Sequence, residues 1–358
     1  MKKIVLTGGG TAGHVTPNIA LLPALQAAGY EIAYVGSYEG IEKKLIADFN
    51  IPYTGISTGK FRRYLDPKNF SDPFRVMKGF VEARNYLKNY QPDVVFSKGG
   101  FVSVPVVRAA ASLHIPCIIH ESDMTPGLAN KLCIPVVEKV CCNFPETMKN
   151  IPADKAVLTG SPIRAELAEG SKLAGLNMCG FTANKPVIMV IGGSLGAANV
   201  NKAVRDALPK LLEDFQVVHL CGKDKIDNLL LNTPGYKQFE YIKAELKDIF
   251  AMADVVISRA GANAICELLA LKKPNILIPL PAASSRGDQL LNAASFEAQG
   301  YSIVLNEDDI TTNLLVDKVH ELYFNRQNYV DAMSKSHQMD AVKTIMELIN
   351  AAADKKTN

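Results

Sequence analysis

Along the first half of the chain, short apolar runs alternate with stretches whose apolar residues recur at helical spacing. The runs at 4–6, 32–35, 94–96, 117–119, 139–141 and 157–158 predict strands. Between them, Ile19, Leu22, Leu25 and Ala28 share one helical face, with Thr16-Pro17 as the expected N-cap and first helical position and Gly29 as the stop. Alternation of strand and helix predicts a parallel sheet covered on both faces. The pattern pauses around Gly160-Ser161-Pro162, crosses a polar loop ending near Lys185, and restarts with strands at 187–191, 216–220, 255–258 and 275–279. Residues 314–353 read as closing helices. The expected class is α/β, with two doubly wound, Rossmann-like domains. Residues 1–161 form the first, 162–340 the second, and 341–358 a C-terminal helix packing back toward the first. Ligands of such sheets bind at the carboxyl ends of the strands, so two sheets facing each other would make a deep cleft.

The polar punctuation carries the chemistry. Lys3-Ile4-Val5-Leu6-Thr7 breaks into Gly8-Gly9-Gly10-Thr11-Ala12-Gly13-His14. A strand, a glycine turn and a helix N-terminus suit an anion, because unpaired N–H groups point outward and the helix dipole favours negative charge. Gly8, Gly10 and Gly13 fit G-x-G-x-x-G, but a dinucleotide site also expects an acid at the end of the second strand. Tyr34-Val35-Gly36-Ser37 supplies none before Glu39, which counts against an NAD-dependent oxidoreductase. Two more glycine loops follow strands, Ser97-Lys98-Gly99-Gly100-Phe101-Val102-Ser103 and Gly192-Gly193-Ser194-Leu195-Gly196-Ala197. Each alone could be a turn; three suggest several phosphate-bearing ligands, or one gripped from two sides. In 254–267 a strand ends at Ser258, small residues turn, and a helix begins near Asn263. Glu267 on that helix can either accept hydrogen bonds from a sugar diol or serve as a carboxylate near the helix N-terminus.

Composition narrows the class. At 358 residues the chain has room for two domains, and 48% hydrophobic with 21% charged residues describes a globular protein. A net charge of +3 gives no case for nucleic acid. Seven cysteines without C-x-x-C spacing predict reduced thiols in a cytosolic protein. Met1-Lys2-Lys3 imitates a signal peptide, but the apolar run that follows dies in three glycines. No run approaches the roughly 18 apolar residues of a membrane span. The expectation is a chain that is neither exported nor membrane-spanning.

The ordered set of Gly-Gly-Gly-Thr-Ala-Gly-His, Gly-Gly-Phe-Val-Ser, His120-Glu121 with Gly127-Leu128-Ala129-Asn130-Lys131, Gly160-Ser161-Pro162-Ile163-Arg164, Gly192-Gly193-Ser194, Arg259-Ala260-Gly261-Ala262 and Asp288-Gln289 closely resembles the MurG family over nearly the whole chain. That resemblance implies a GT-B fold. It also implies inverting transfer of N-acetylglucosamine from UDP-N-acetylglucosamine to undecaprenyl-pyrophosphoryl-N-acetylmuramoyl-pentapeptide, the step from lipid I to lipid II in peptidoglycan synthesis. The donor would be held by Arg164, Ser194, Ile242, Ala262, Asn263, Ala264, Ile265, Cys266 and Glu267, with Gln289, Asp288 and Asn292 at the sugar. Thr11, Ala12 and Gly13 would approach it from the first domain. Gly99, Gly100, Phe101 and Ser103, with Asp123 and Asn130, would serve the acceptor. The chain departs from the family pattern in two places: Ser122-Asp123 stands where Gln-Asn is common, and Phe101 where tyrosine is common.

Such a transfer needs a base for the acceptor hydroxyl and stabilisation of departing UDP. His14 is the candidate base because imidazole titrates near neutrality, and Glu121 is held in reserve. Backbone N–H groups at a helix N-terminus can stabilise a diphosphate without metal. No metal or cofactor is expected, since the nearest acidic cluster, Glu307-Asp308-Asp309, reads as a solvated turn. Residues 60–88 carry eight basic against three acidic side chains, with Phe74, Met77, Phe80 and Val81 at helical spacing. Read alone, this is either an amphipathic helix packing its stripe inward or a contact with anionic lipid. The resemblance favours the lipid, and places the protein peripherally on the cytoplasmic face of the bacterial membrane, near other cell-wall synthesis proteins. A UDP-N-acetylglucosamine 2-epimerase and a non-catalytic binding module remain the competing readings.

Overall fold

The computed structural model describes all residues except 60–67, 194–195, 283–286, 337–339 and 358, and omits the side chains of 68–73 and 356–357. The chain divides into two compact units, Met1–Arg164 joined by Asp340–Asn358, and Ala165–Met339.

The first unit holds a parallel sheet of β1 (Lys3–Thr7), β2 (Glu31–Ser37), β3 (Tyr53–Ile56), β4 (Val94–Ser97), β5 (Cys117–Glu121), β6 (Lys139–Cys142) and β7 (Ala156–Leu158). Its strand order is β3-β2-β1-β4-β5-β6-β7. Strand alternation sends Val5, Val35 and Val95 to one face, where the helices Lys68–Tyr90 and Ser103–Ser112 supply Ala83, Leu87, Val106 and Ala110. Ile4, Leu6 and Phe96 line the other face under Leu21, Leu22 and Leu25 of the helix Thr16–Ala27. Ile345, Ile349 and Ala353 of the terminal helix Ala341–Thr357 complete that second face, and Tyr30 donates to Asn350 Oδ1 at 2.7 Å.

The second unit repeats the plan with β8 (Val187–Ile191), β9 (Gln216–Leu220), β10 (Tyr236–Phe239), β11 (Val255–Ser258), β12 (Asn275–Leu277) and β13 (Ser302–Val304), ordered β10-β9-β8-β11-β12-β13. The helices Ala198–Asp214 and Thr312–Phe324 bury Val204, Leu208, Leu315 and Val319 against one face of it.

Three expectations change. Thr16 is the first helical residue, not the cap: its hydroxyl donates to Ala12 O at 2.9 Å, and Val15 takes the N-cap position. The polar stretch before Lys185 contains the helix Lys172–Cys179, capped by Ser171, whose hydroxyl accepts from the Ala174 N–H at 3.3 Å. The strands β3, β10 and β13 lie beyond the sequence-predicted set. All seven cysteines are free and buried, and burial pushes the Cys179 thiol up to about 11. No helix among the described residues is long and apolar enough to cross a membrane.

Candidate functional site

In the first unit the strand order puts β1 beside β4, so the two loops that follow them meet at the carboxyl edge of the sheet. The Gly9 N–H donates to Gly99 O at 3.3 Å. Gly100 has φ +85°, and a Cβ there would stand 2.2 Å from the Gly9 carbonyl oxygen. Two of the three glycine loops are thus one composite surface, which only residues without Cβ can form. Ser103 is buried under it, its hydroxyl donating to Gly99 O at 2.8 Å, so a direct contact with acceptor would require breaking that bond. Phe101 is half-buried on the same loop.

The composite loop is less open to an anion than its sequence suggests. Gly10 donates its N–H at 3.1 Å to Glu42, a fully buried carboxylate that also accepts from Ser37 N at 2.9 Å and Ser37 Oγ at 2.5 Å. The expected row of outward N–H groups is therefore partly used internally, with His14 and Val15 bonding back to Thr11 O and Ala12 O. Thr11 and Ala12 are exposed on the short turn Ala12–His14, and Gly13 is half-exposed.

His14 closes the loop, its Nδ1 3.0 Å from Thr11 Oγ1. Burial lowers its pKa to about 4, helped by the positive charge of Lys98, while a hydrogen bond to the Gly9 backbone and the charge of Glu42 pull the other way. The imidazole is neutral at pH 7 and able to accept a proton. Gly99 lies between it and Asn130: a Cβ on Gly99 would be 3.6 Å from the His14 ring and 3.5 Å from Asn130 Oδ1. Glu121 is buried with both oxygens engaged, one by Asp123 N at 3.0 Å, the other by Gly127 N and Asn130 Nδ2, each at 2.9 Å. That geometry clamps the 122–127 loop to the first turn of the helix Leu128–Cys133, and it fixes Asn130 and the backbone of Asp123 beside the glycine surface. His120 is fully buried, Nε2 2.9 Å from Gly160 O.

In the second unit the starts of the helices that follow β8, β11 and β12 lie at the carboxyl edge of the sheet. Gly192, Gly193 and Gly196 lead into the helix Ala198–Asp214, with Ser194 and Leu195 outside the described residues. The helix Ala262–Ala270 follows β11 with Gly261 at its N-cap and no side chain capping it, so the N-terminal turn formed by Ala262, Asn263 and Ala264 faces outward from the strand end. Ile265 and Cys266 point into the core, and Glu267 is half-buried on the second turn. Beside it, Asn292 donates to Ala260 O at 3.1 Å and Gln289 Oε1 accepts from Leu280 N at 3.1 Å, both from the helix Asp288–Ala298. Asp288 opens that helix, Ile242 lies half-buried in the loop after β10, and Arg164 is half-buried at the end of the first unit. Glu307 corrects the reading of a solvated turn. Its carboxylate pairs with the buried Arg259 and accepts from Asn199 at 2.6 Å, while Arg259 also donates to Ile278 O and Pro279 O at 3.0 and 3.2 Å.

Residues 4–142 match the glycosyltransferase family 28 N-terminal domain, and 187–349 match its C-terminal domain. The chain is 65% identical, over 98% of its length and 99% of the relative's, to the UDP-N-acetylglucosamine–N-acetylmuramyl-(pentapeptide) pyrophosphoryl-undecaprenol N-acetylglucosamine transferase of Lachnospira eligens. The chain belongs to the MurG family. The identically named transferase of Lachnoclostridium phytofermentans is 64% identical over 98% of both chains. The crystal structure of Acinetobacter baumannii MurG is 28% identical with a TM-score of 0.78, covering 98% of this chain and all of that one. The two Rossmann-like units are accordingly those of a GT-B glycosyltransferase. A UDP-N-acetylglucosamine 2-epimerase from Methanocaldococcus jannaschii shares the fold at 13% identity and a TM-score of 0.68, over 97% of this chain and 99% of that one.

The basic, apolar stretch of this MurG-family chain is described from its helix Lys68–Tyr90 onward, with side chains from Phe74. Phe74, Met77 and Val81 stand 79%, 66% and 51% exposed on one stripe, beside exposed Arg75 and Lys78. Phe80 departs from the expected stripe: it turns inward and packs against the core of the sheet. Sequence reasoning passed over Glu42, Ser122 and Glu307 as site residues, and quoted Lys98 without giving it a role. Lys98, directly between an apolar strand and Gly99-Gly100, had a positional signal; Glu307 had none while β13 went unread.

Proposed function

We infer that this chain transfers N-acetylglucosamine from UDP-N-acetylglucosamine to undecaprenyl-pyrophosphoryl-N-acetylmuramoyl-pentapeptide, with inversion at the anomeric carbon. The observation that carries the reading is the 65% identity, across 98% of the chain, to a transferase of that name. In this reading the acceptor's pyrophosphate lies on the composite surface of Gly99 and Gly100, with Asn130 and the Asp123 segment held beside it by Glu121. His14 takes the proton from the attacking hydroxyl as the oxygen bonds to the sugar's C1. The bond from C1 to the β-phosphate oxygen breaks, and UDP leaves with the electron pair. The N-terminal turn at Ala262, Asn263 and Ala264 offers N–H groups to that diphosphate. Glu267 accepts from the ribose hydroxyls, Ile242 meets the uracil edge, Arg164 lies by the nucleotide, and Gln289, Asp288 and Asn292 hold the sugar.

The lipid acceptor brings the enzyme to an anionic bilayer surface at its cytoplasmic face, through Phe74, Met77 and Val81 with Arg75 and Lys78. Labelled UDP-N-acetylglucosamine with a lipid-linked muramoyl-pentapeptide tests the whole reading. Label should move to the lipid with kcat reduced roughly 10²–10⁴-fold in His14→Ala. Conversion of the free nucleotide sugar without acceptor would support an epimerase, and binding without turnover a non-catalytic module.

A further inference from the structure

The transfer as described leaves unused an ion pair inside the second unit, Arg259 with Glu307. Their side chains are 10% and 8% exposed, and Arg259 Nη2 donates to Glu307 Oε2. Arg259 Nη1 donates to Ile278 O at 3.0 Å and Pro279 O at 3.2 Å, and Glu307 Oε1 accepts from Asn199 Nδ2 at 2.6 Å. These residues come from four places at the carboxyl edge of the sheet. Arg259 follows β11, Ile278 and Pro279 follow β12, Glu307 begins the turn Glu307–Asp309 after β13, and Asn199 lies in the first turn of the helix Ala198–Asp214 after β8.

Taking two charges out of water costs about as much as their attraction returns, so a buried pair adds little stability that apolar side chains could not supply. What it adds is direction. The guanidinium is planar and presents its donors in a fixed fork, so the two carbonyls and the carboxylate it holds cannot shift independently without losing a bond. Chain position carries that constraint to the helix Ala262–Ala270. Ala260 and Gly261 alone separate its first residue from Arg259, and Ala260 O is itself held by Asn292 at 3.1 Å. The turn they hold faces open space: a Cβ on Gly261, its N-cap, would meet no described residue within 4 Å.

We propose that the Arg259–Glu307 pair positions the donor's diphosphate. Through it the turn of Ala262, Asn263 and Ala264 keeps a fixed place against the start of the helix Ala198–Asp214, so that its N–H groups meet the phosphates already aimed. Arg259 and Glu307 are positioning residues: neither touches the ligand, and no bond forms or breaks at either. The role rests on the donor lying at this edge of the second unit.

The test is the affinity of the full-length protein for UDP, by calorimetry, and for uridine, which lacks the phosphates, by NMR titration. Glu307→Gln, which sets an amide NH₂ against Arg259 or Asn199, should raise the Kd for UDP about tenfold or more, the worth of one charge-assisted hydrogen bond. The Kd for uridine should change less than about twofold, and the KM for lipid acceptor should hold. Because one buried charge left alone can unfold a protein, a second variant replaces both, Arg259→Met with Glu307→Leu. It should keep an unfolding midpoint near that of the parent, yet show the same selective loss of UDP. Equal loss of UDP and uridine, or undiminished UDP affinity in either folded variant, overturns the proposal while leaving the donor site in place. A double variant that does not fold would make the pair a structural one, and overturns the proposal too. Glu267→Ala tests the site itself and should weaken both ligands. If it weakens neither, the donor lies elsewhere, and that reading fails together with the proposal.

Discussion

The Gly9 carbonyl oxygen occupies the space a Cβ on Gly100 would need, 2.2 Å from its ideal position. The contact joins two loops about ninety residues apart in sequence into one surface. Gly100→Ala would meet both that backbone clash and a φ of +85°, a region side chains rarely adopt. The expected result is a loss of about 2 kcal/mol or more in the first unit, read by urea unfolding. Lipid-acceptor transfer should fall at least tenfold while UDP binding, placed on the second unit, stays near the parent value. Equal loss of both would mean that the loop serves the donor.

Glu121 separates a clamp from a base. Its two oxygens accept three N–H groups, and Glu121→Gln would turn an amide NH₂ toward at least one of them. Losing a charge-assisted bond and setting donor against donor costs about 2–3 kcal/mol. The expected kinetic effect is a raised KM for the lipid acceptor, with the acid limb of kcat unchanged. A fall of roughly 10²-fold or more in kcat with that limb abolished would make Glu121 the base instead.

Much of this arrangement is legible in the sequence, and what is missing has physical causes. β1, β4, β8 and β11 are buried on both faces, so they read as unbroken apolar runs ending in glycine or small residues. β10, by contrast, is an edge strand whose Tyr-Lys-Gln-Phe mixes buried and exposed positions, and β13 is only three residues long. Helical spacing alone cannot tell the inward Phe80 from the outward Val81, because both lie within one apolar arc. Gly10 as a partner of Glu42, and Glu307 as the partner of Arg259, are distant in sequence, so only the folded sheet edges reveal them.

Buried neutral histidines set a pH window for stability. Burial, aided by Arg205, lowers His219 to about 3, where its ring meets Tyr236 OH at 2.8 Å and Asn201 Oδ1 at 3.0 Å. His14 is lowered to about 4. In the unfolded chain both take up protons near 6.5, so between there and the folded values the unfolded state binds more. Stability therefore falls as the pH drops below about 6.5, each group contributing up to about 1.4 kcal/mol per unit until its folded pKa is reached. Urea unfolding at pH 7 and pH 5 should show this loss, and His219→Gln should reduce it. The same stability at both pH values would mean these rings titrate normally.

The helix Lys68–Tyr90 allows adhesion to lipid to be separated from folding, because neighbouring residues face opposite ways. Phe74, Met77 and Val81 are exposed and anchor nothing in the core, so changing all three to Ser should leave the unfolding midpoint near that of the parent. Phe80 packs on the sheet core, and Phe80→Ser should destabilise the first unit by about 2 kcal/mol, less than a fully buried phenylalanine would. Co-sedimentation with vesicles containing anionic lipid should then divide the variants. The triple variant should bind at least tenfold more weakly, since it loses the apolar wedge while keeping Arg75 and Lys78. Phe80→Ser should bind as the parent does at temperatures where it is folded. Undiminished binding by the triple variant would leave the basic residues as the whole attraction, and that attraction should then vanish in high salt.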